Sequence, residues 1–234
     1  MKTLTASLLA IALLASATPA YAHFPWLTIQ KDGKVAYFFG ENPADCTYKL
    51  PGPIAKSEVS AVSESGKLTA VELEAIESDD FVGRKSAKPL AKDALLQSQA
   101  TFGIYHGSRL DYYTQHVGGK LPASREAAQK VSATIDLKAE LVKTEEGVDA
   151  YILWQGKPLA DADVHLYCEE GHEEATATTD QEGKFSFTDA QIEEGVNGIM
   201  VGHTLQEAGT LNDKKYDSNS HYLTVTFQSP AEGN

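Results

Sequence analysis

Three histidines carry the sharpest chemistry in this sequence. His23 follows a stretch with the grammar of a removable export signal: Lys2, an apolar run from Leu8 through Ala15, and the small-residue site Ala20-Tyr21-Ala22. Cleavage after Ala22 makes His23 the new amino terminus, and a terminal histidine offers a metal two nitrogens at once, its α-amine and its ring Nδ1. His203 and His221 continue two apolar rows: Ile199, Val201 and His203 share one face of a strand, as do His221, Leu223, Val225 and Phe227. If these strands pair antiparallel, one register sets Ile199 against Val225, Val201 against Leu223 and His203 against His221. Directly opposed side chains have Cβ atoms about 4.5–5.5 Å apart, close enough for two imidazoles to share an ion. A slip of one residue sends them to opposite faces.

The proposed ligand set is therefore His23, through amine and ring, with His203 and His221 as further imidazoles. Neutral nitrogens suit copper(II) or nickel(II), with cobalt(II) and zinc(II) as alternatives. The amine and rings must be deprotonated, so affinity falls as pH drops below the histidine range. Asp213, Asp217 and Glu207, in the segment between the two strands, are candidates for orienting the rings, against the plainer reading of solvated loop carboxylates. The structural alternative for each histidine is a strand-end hydrogen bond to a loop carbonyl, with no metal.

The other histidines are weaker candidates. His106 and His116 end aromatic strands, from which they could approach a site between the domains, but they better suit surface or capping roles. His165 is out of phase with Val164 and Leu166 and is expected to be exposed. His172 sits in the acidic turn Glu169-Glu170-Gly171-His172-Glu173-Glu174 as at best a loose cation binder. Thr176 stands where a zinc-peptidase helix needs its second histidine. Phosphate-cradling glycine loops, dinucleotide fingerprints, GxSxG elbows and CxxC pairs are all missing, so no enzyme class is indicated.

Composition bounds the rest. The formal net charge is −13, becoming −14 when Lys2 leaves with the signal, which argues against nucleic acid or an anionic membrane as partner and would attract cations. The apolar part of the signal is too short to span a bilayer, so direct membrane insertion is not expected. Removal of the signal leaves 212 residues, enough for one large or two small cores. In an oxidising compartment Cys46 and Cys168 could form a disulfide; equally, Cys168 continues the apolar phase of Val164 and Leu166 and reads as a buried thiol.

The chain reads as strands separated by turns. Phe24 to Gln30, Val35 to Phe39, Glu58 to Val62 and Leu68 to Ile76 are apolar or alternating runs punctuated by Asp32-Gly33, Pro51-Gly52-Pro53 and Ser65-Gly66. Residues 87–99 suggest a helical turn or two, and strands return over Thr101 to Tyr105 and Leu110 to His116. The expected organisation is a signal peptide (1–22), an N-terminal β-domain (23–121), a linker (122–130) and a second β-domain (131–230). The fold class is all-β, with two consecutive antiparallel β-sandwiches of immunoglobulin-like or transthyretin-like type.

The run Gly156-Lys157-Pro158-Leu159-Ala160-Asp161-Ala162-Asp163-Val164, followed by Thr179-Asp180 and Gly183-Lys184-Phe185-Ser186-Phe187, resembles the transthyretin-like or carboxypeptidase-regulatory sandwich module. That module implies fold far more than function. With the mature start His23-Phe24-Pro25-Trp26-Leu27 and the two late histidines, residues 23–227 resemble a family of exported bacterial proteins of unknown function, also described as periplasmic components of cobalt and nickel uptake systems. The resemblance implies a periplasmic or secreted protein whose partners are a transition metal ion and a membrane metal transporter.

Three functions follow as expectations. The first is a non-catalytic metal-binding protein for uptake, delivery or homeostasis. A copper oxidase built on the terminal-histidine chelate is the second. The third is a metal-free structural or interaction module of the envelope, which separated histidines would favour.

Overall fold

A computed structural model describes residues 23–229. The export signal and its cleavage point lie outside the described residues, apart from His23 itself. In the first half the strands are β1 (Phe24–Ile29), β2 (Val35–Gly40), β3 (Val59–Val62), β4 (Leu68–Ala70), β5 (Leu73–Glu77), β6 (Val82–Ser86), β7 (Leu95–Tyr105) and β8 (Ser108–Val117). The second half supplies β9 (Leu137–Lys143), β10 (Gly147–Trp154), β11 (Lys157–Pro158), β12 (Asp163–Tyr167), β13 (Glu173–Thr178) and β14 (Lys184–Thr188). It ends with β15 (Gly195–Leu205), the small hairpin β16 (Gly209–Leu211) and β17 (Lys214–Tyr216), and β18 (Ser218–Ser229). Short helices occupy Gly52–Ala55 and Arg125–Lys130.

The fold is all-β and layered as sandwiches. A central eight-stranded sheet runs β13-β12-β15-β18-β8-β7-β3-β4. On one face lies the sheet β1-β2-β6-β5, and on the other β9, β10, β11 and β14. Alternation along the central strands feeds both cores. Leu223, Val225 and Phe227 point to the second-half sheet with Val201 and Ile199, while Tyr222, Met200 and Tyr112 point to the first-half sheet with Trp26 and Phe24. The two sandwiches thus share one sheet, and the stretches 23–121 and 131–230 meet within it. The seam is the pair β8 and β18, which run parallel, with His221 opposite Asp111 and Val225 opposite Gln115.

Both flanking sheets are held to the central one by side chains that bond an edge strand's backbone. Edge strand β1 turns the carbonyls of Pro25, Leu27 and Ile29 away from β2. Thr224 Oγ1 donates to the first at 2.6 Å, Thr226 Oγ1 to the second at 2.5 Å and Gln228 Nε2 to the third at 3.3 Å. On the other face Gln115 pairs with both backbone groups of Ala139 in β9: its Nε2 donates to the carbonyl at 2.8 Å, and its Oε1 accepts from the amide at 3.2 Å. An edge strand's outward polar groups are a liability when buried, and these side chains satisfy them. Close approach also needs Gly198, where an added Cβ would sit 2.9 Å from the Trp26 ring.

Several sequence expectations are corrected. Residues 87–94 are a loop without a helix, and Leu95 already begins β7; pairing with β3 and β8 overrides the local helix-forming composition. Leu68 to Ile76 is two strands in two different sheets, and β6, which follows them and pairs with the second, was not anticipated. The supposed linker 122–130 contains a helix capped by Ser124, whose side chain accepts from the amide of Ala127.

His116, expected in a surface or capping role, is buried. Thr226 has one hydroxyl proton and gives it to Leu27, so His116 Nδ1, 2.8 Å away, is the donor to Thr226. Burial lowers the His116 pKa from the ordinary 6.5 to about 4. The unfolded chain therefore takes up a proton before the folded one does, and stability present above pH 6.5 is lost as pH falls towards 4, by about 3 kcal/mol from this residue. Urea denaturation across that window should show a shallower loss for His116→Gln than for the wild type; equal slopes would remove His116 as the cause. Replacing Thr226 by the similarly shaped valine should cost about 1–3 kcal/mol at neutral pH, read from the same denaturation midpoint, because the Leu27 carbonyl loses its donor.

Candidate metal centre

The register of β15 and β18 is the one the apolar phases imply: Ile199 opposite Val225, Val201 opposite Leu223, His203 opposite His221. The row continues across the parallel seam, because His221 is level with Asp111 on β8 and Asp111 with Thr101 on β7. Three strand pairings therefore place His203, His221, Asp111 and Thr101 side by side, at the end of the apolar face. The imidazole centroids of His203 and His221 lie 6.1 Å apart with planes inclined by 29°. An imidazole bound through nitrogen has its centroid about 3.2 Å from the ion, so a spacing of 6.1 Å suits only two rings on nearly opposite sides of an ion, and the donor atoms of His203, His221 and Asp111 do not all lie within 4.8 Å of one another.

Trp154, at the end of β10, roofs the pair, its centroid 5.3 Å from His203 and 4.4 Å from His221. Tyr113 flanks it, with its hydroxyl 3.4 Å from His221 Nδ1. Asp111 is the buried charge of the site. Its Oδ2 lies 2.9 Å from Arg109 Nε and 3.9 Å from His221 Nδ1, and its Oδ1 accepts from Thr101 and from Arg109 Nη2. The groove beside the row also has Asp136, Glu207 and Asn219 on its walls.

The electrostatics keep both rings neutral. Burial lowers the pKa of His203. For His221 burial again dominates and the net shift is downward, although the Asp111 carboxylate pulls the other way. Burial raises the Tyr113 hydroxyl, helped by the Asp111 and Asp136 charges. Burial is the largest single influence on Arg109 and works against its charged form, but the hydrogen bond and charge of Asp111 together with Tyr216 outweigh it and the net shift is upward. His203 Nε2 is buried without a hydrogen-bond partner, whereas Asp111 Oδ2 is held in the 2.9 Å ion pair with Arg109 Nε. An unpaired ring nitrogen beside a second neutral imidazole is a donor pair of the type a transition metal ion takes, with the Asp111 carboxylate next to it but engaged by Arg109 and Thr101.

His23 does not join this row. Its neighbours are on the other side of the central sheet: Phe24 packs on Tyr222 at 5.1 Å, and Pro25 receives its bond from Thr224, both out of phase with His221. The His23 ring packs edge-on to Tyr48 at 3.9 Å and stacks with Phe39 at 5.8 Å. Its Nε2 is buried without a hydrogen-bond partner, 3.9 Å from Glu41 Oε1. The structure thus brings together two of the three expected ligands. Among the carboxylates considered between the strands, Glu207 lines the groove, whereas Asp213 sits in the tight turn of the β16–β17 hairpin. Asp111, Arg109, Tyr113 and Trp154 were not singled out by sequence spacing. The only available signal was the alternation of Asp111 with Tyr113 and Gln115, which puts a charged residue on a core-facing phase.

Trp154 reports directly on the row. An imidazolium quenches a tryptophan in contact with it, so Trp154 emission should fall as His221 and His203 protonate, with a midpoint below that of an ordinary histidine. His221→Asn should reduce the amplitude of that transition, and a titration at the ordinary histidine value would contradict the burial argument.

Comparison with known proteins leaves this reading to the chain's own geometry. No family model matches the sequence, and no curated protein matches it. Among solved structures it is similar to the BSP domain of a biofilm-associated protein, at 11% identity and a TM-score of 0.23; the likeness covers 90% of this chain and 30% of that one.

Proposed function

We propose that this chain is an exported transition-metal-binding protein, acting in the uptake, delivery or homeostasis of copper(II), nickel(II) or cobalt(II) without catalysis of its own. Its centre is the row His203, His221 and Asp111, with the metal as cargo. The observation that carries the reading is the direct opposition of two neutral imidazoles, His221 buried and His203 half-buried, beside a buried carboxylate, with His203 Nε2 unpaired. Burial serves binding here, since rings kept neutral need not lose a proton to accept an ion. Arg109 opposes it by neutralising Asp111, which tempers affinity and suits a cargo that must be released.

The metal-free scaffold is the second reading. The separation of His23 from the other two histidines favours it, and so do the bonds Asp111 already makes to Thr101 and Arg109.

Native mass spectrometry and calorimetry with copper(II) and nickel(II) decide between them. One tightly held ion is expected, lost in His203→Ala and in His221→Ala, retained in His23→Ala, and weakened about 10–100-fold in Asp111→Asn. No stoichiometric ion in the wild type would leave the scaffold reading standing. An ion lost only with His23 would move the centre to the amino terminus.

A further inference from the structure

The turn between β12 and β13 assembles a different donor set. Cys168, His172 and Glu174 each present a ligand atom, and the three lie within 4.8 Å of one another, the group among the described residues that meets this spacing. Donors sharing a tetrahedral ion are about 3.5 Å apart, so closure needs a movement of about 1 Å, within reach of an exposed ring such as that of His172. We propose that this turn is a second metal site, for a borderline ion of the zinc(II) kind, bound by the Cys168 thiolate, the His172 imidazole and the Glu174 carboxylate. It is independent of the His203 and His221 row.

The local fold holds the donors in place. The Cys168 amide donates to the His172 carbonyl at 3.1 Å, and the Gly171 amide donates to the Cys168 carbonyl at 3.0 Å, closing the turn between two of the ligands. Gly171 has φ +86° and lies so near Asn42 that a Cβ would overlap the amide side chain, which fixes the turn against the loop after β2. Glu169 anchors the other flank, its Oε1 3.2 Å from Lys31 and its Oε2 accepting from the Val196 amide. A strand register shift between Leu166 and Tyr167 precedes the turn. Such a bulge re-aims the side chains that follow it.

The chemistry separates this site from the first. Cys168 is a free thiol with no exposed surface, while His172 is exposed and Glu174 half-buried, so an ion would approach from the histidine side. As the sulfur–metal bond forms, the thiol proton leaves to solvent. Thiolate with imidazole and carboxylate favours zinc(II) or copper(I) over the all-hard donor sets that hold magnesium or calcium. Three protein ligands leave the fourth position to water.

Cobalt(II) is the probe, because a thiolate on cobalt(II) gives a near-ultraviolet charge-transfer band that imidazole and carboxylate do not. The signal-processed chain carrying Cys46→Ser is titrated with cobalt(II) in a non-thiol reductant and the ion then displaced by zinc(II). The expected result is a charge-transfer band at one equivalent, reversed by zinc, absent in Cys168→Ala, and requiring on the order of 100-fold more cobalt in His172→Ala and Glu174→Gln, beyond the loss typical of an outer partner. The last two substitutions lie outside both hydrophobic cores and leave them intact. His203→Ala and His221→Ala should leave the band unchanged, so the two sites succeed or fail separately. No band in the Cys46→Ser chain, or a band that survives Cys168→Ala, overturns the proposal.

Discussion

The parallel pairing of β8 with β18 is the constraint on which the rest depends. It joins strands more than a hundred residues apart, turns two partial sandwiches into layers on a shared sheet, and sets the height of Asp111 against His221. Antiparallel neighbours reached by short hairpins could not do this, because a parallel pair needs a long crossover, and here the crossover is most of the second half of the chain. Moving that seam by one residue would turn His221 and Asp111 to opposite faces and break the row.

The seam also explains why polar side chains are buried in the middle of an otherwise apolar structure. Thr224 and Thr226 leave one face of β18 to bond the edge of the first-half sheet, while Gln115 leaves one face of β8 to bond the edge of the second-half sheet. Each bond is worth only about 1 kcal/mol net, but an unsatisfied carbonyl in its place costs more, so the set specifies how the three layers align. His116 belongs to the same arrangement and is held neutral by it. The row of His203, His221 and Asp111 lies where the apolar face ends and the layers open. There a polar cluster can be half-buried, with its rings neutral and its carboxylate paired to Arg109.

Much was legible in advance because it depends on local periodicity. The alternating runs at 199–203 and 221–227 showed which residues share a face, and the matching phases suggested the register, found in the structure, that opposes His203 and His221. The phase of Cys168 with Val164 and Leu166 offered a buried thiol as one of two readings, the other a disulfide with Cys46, and both cysteines are free. The failures have a common cause. Residues 87–99 look helical by composition, yet Leu95 to Tyr105 lies between two strands that decide its conformation. His116 carries no mark in its neighbours of the Thr226 bond that buries it. The turn donors Cys168, His172 and Glu174 read as an acidic loop, because spacing does not show a bulge or a glycine pressed against Asn42.

By itself the sequence determined the all-β class, the strands with strong alternation, the core-facing phase of His203 and of His221, and the acidic charge, all of which follow from side-chain types a few residues apart. Only the tertiary structure decided that both halves share one sheet, that Asp111 completes the histidine row, and that His23 lies on the other face. Those outcomes depend on which distant strands pair and in which direction, a choice made by burying both faces of the central sheet at once.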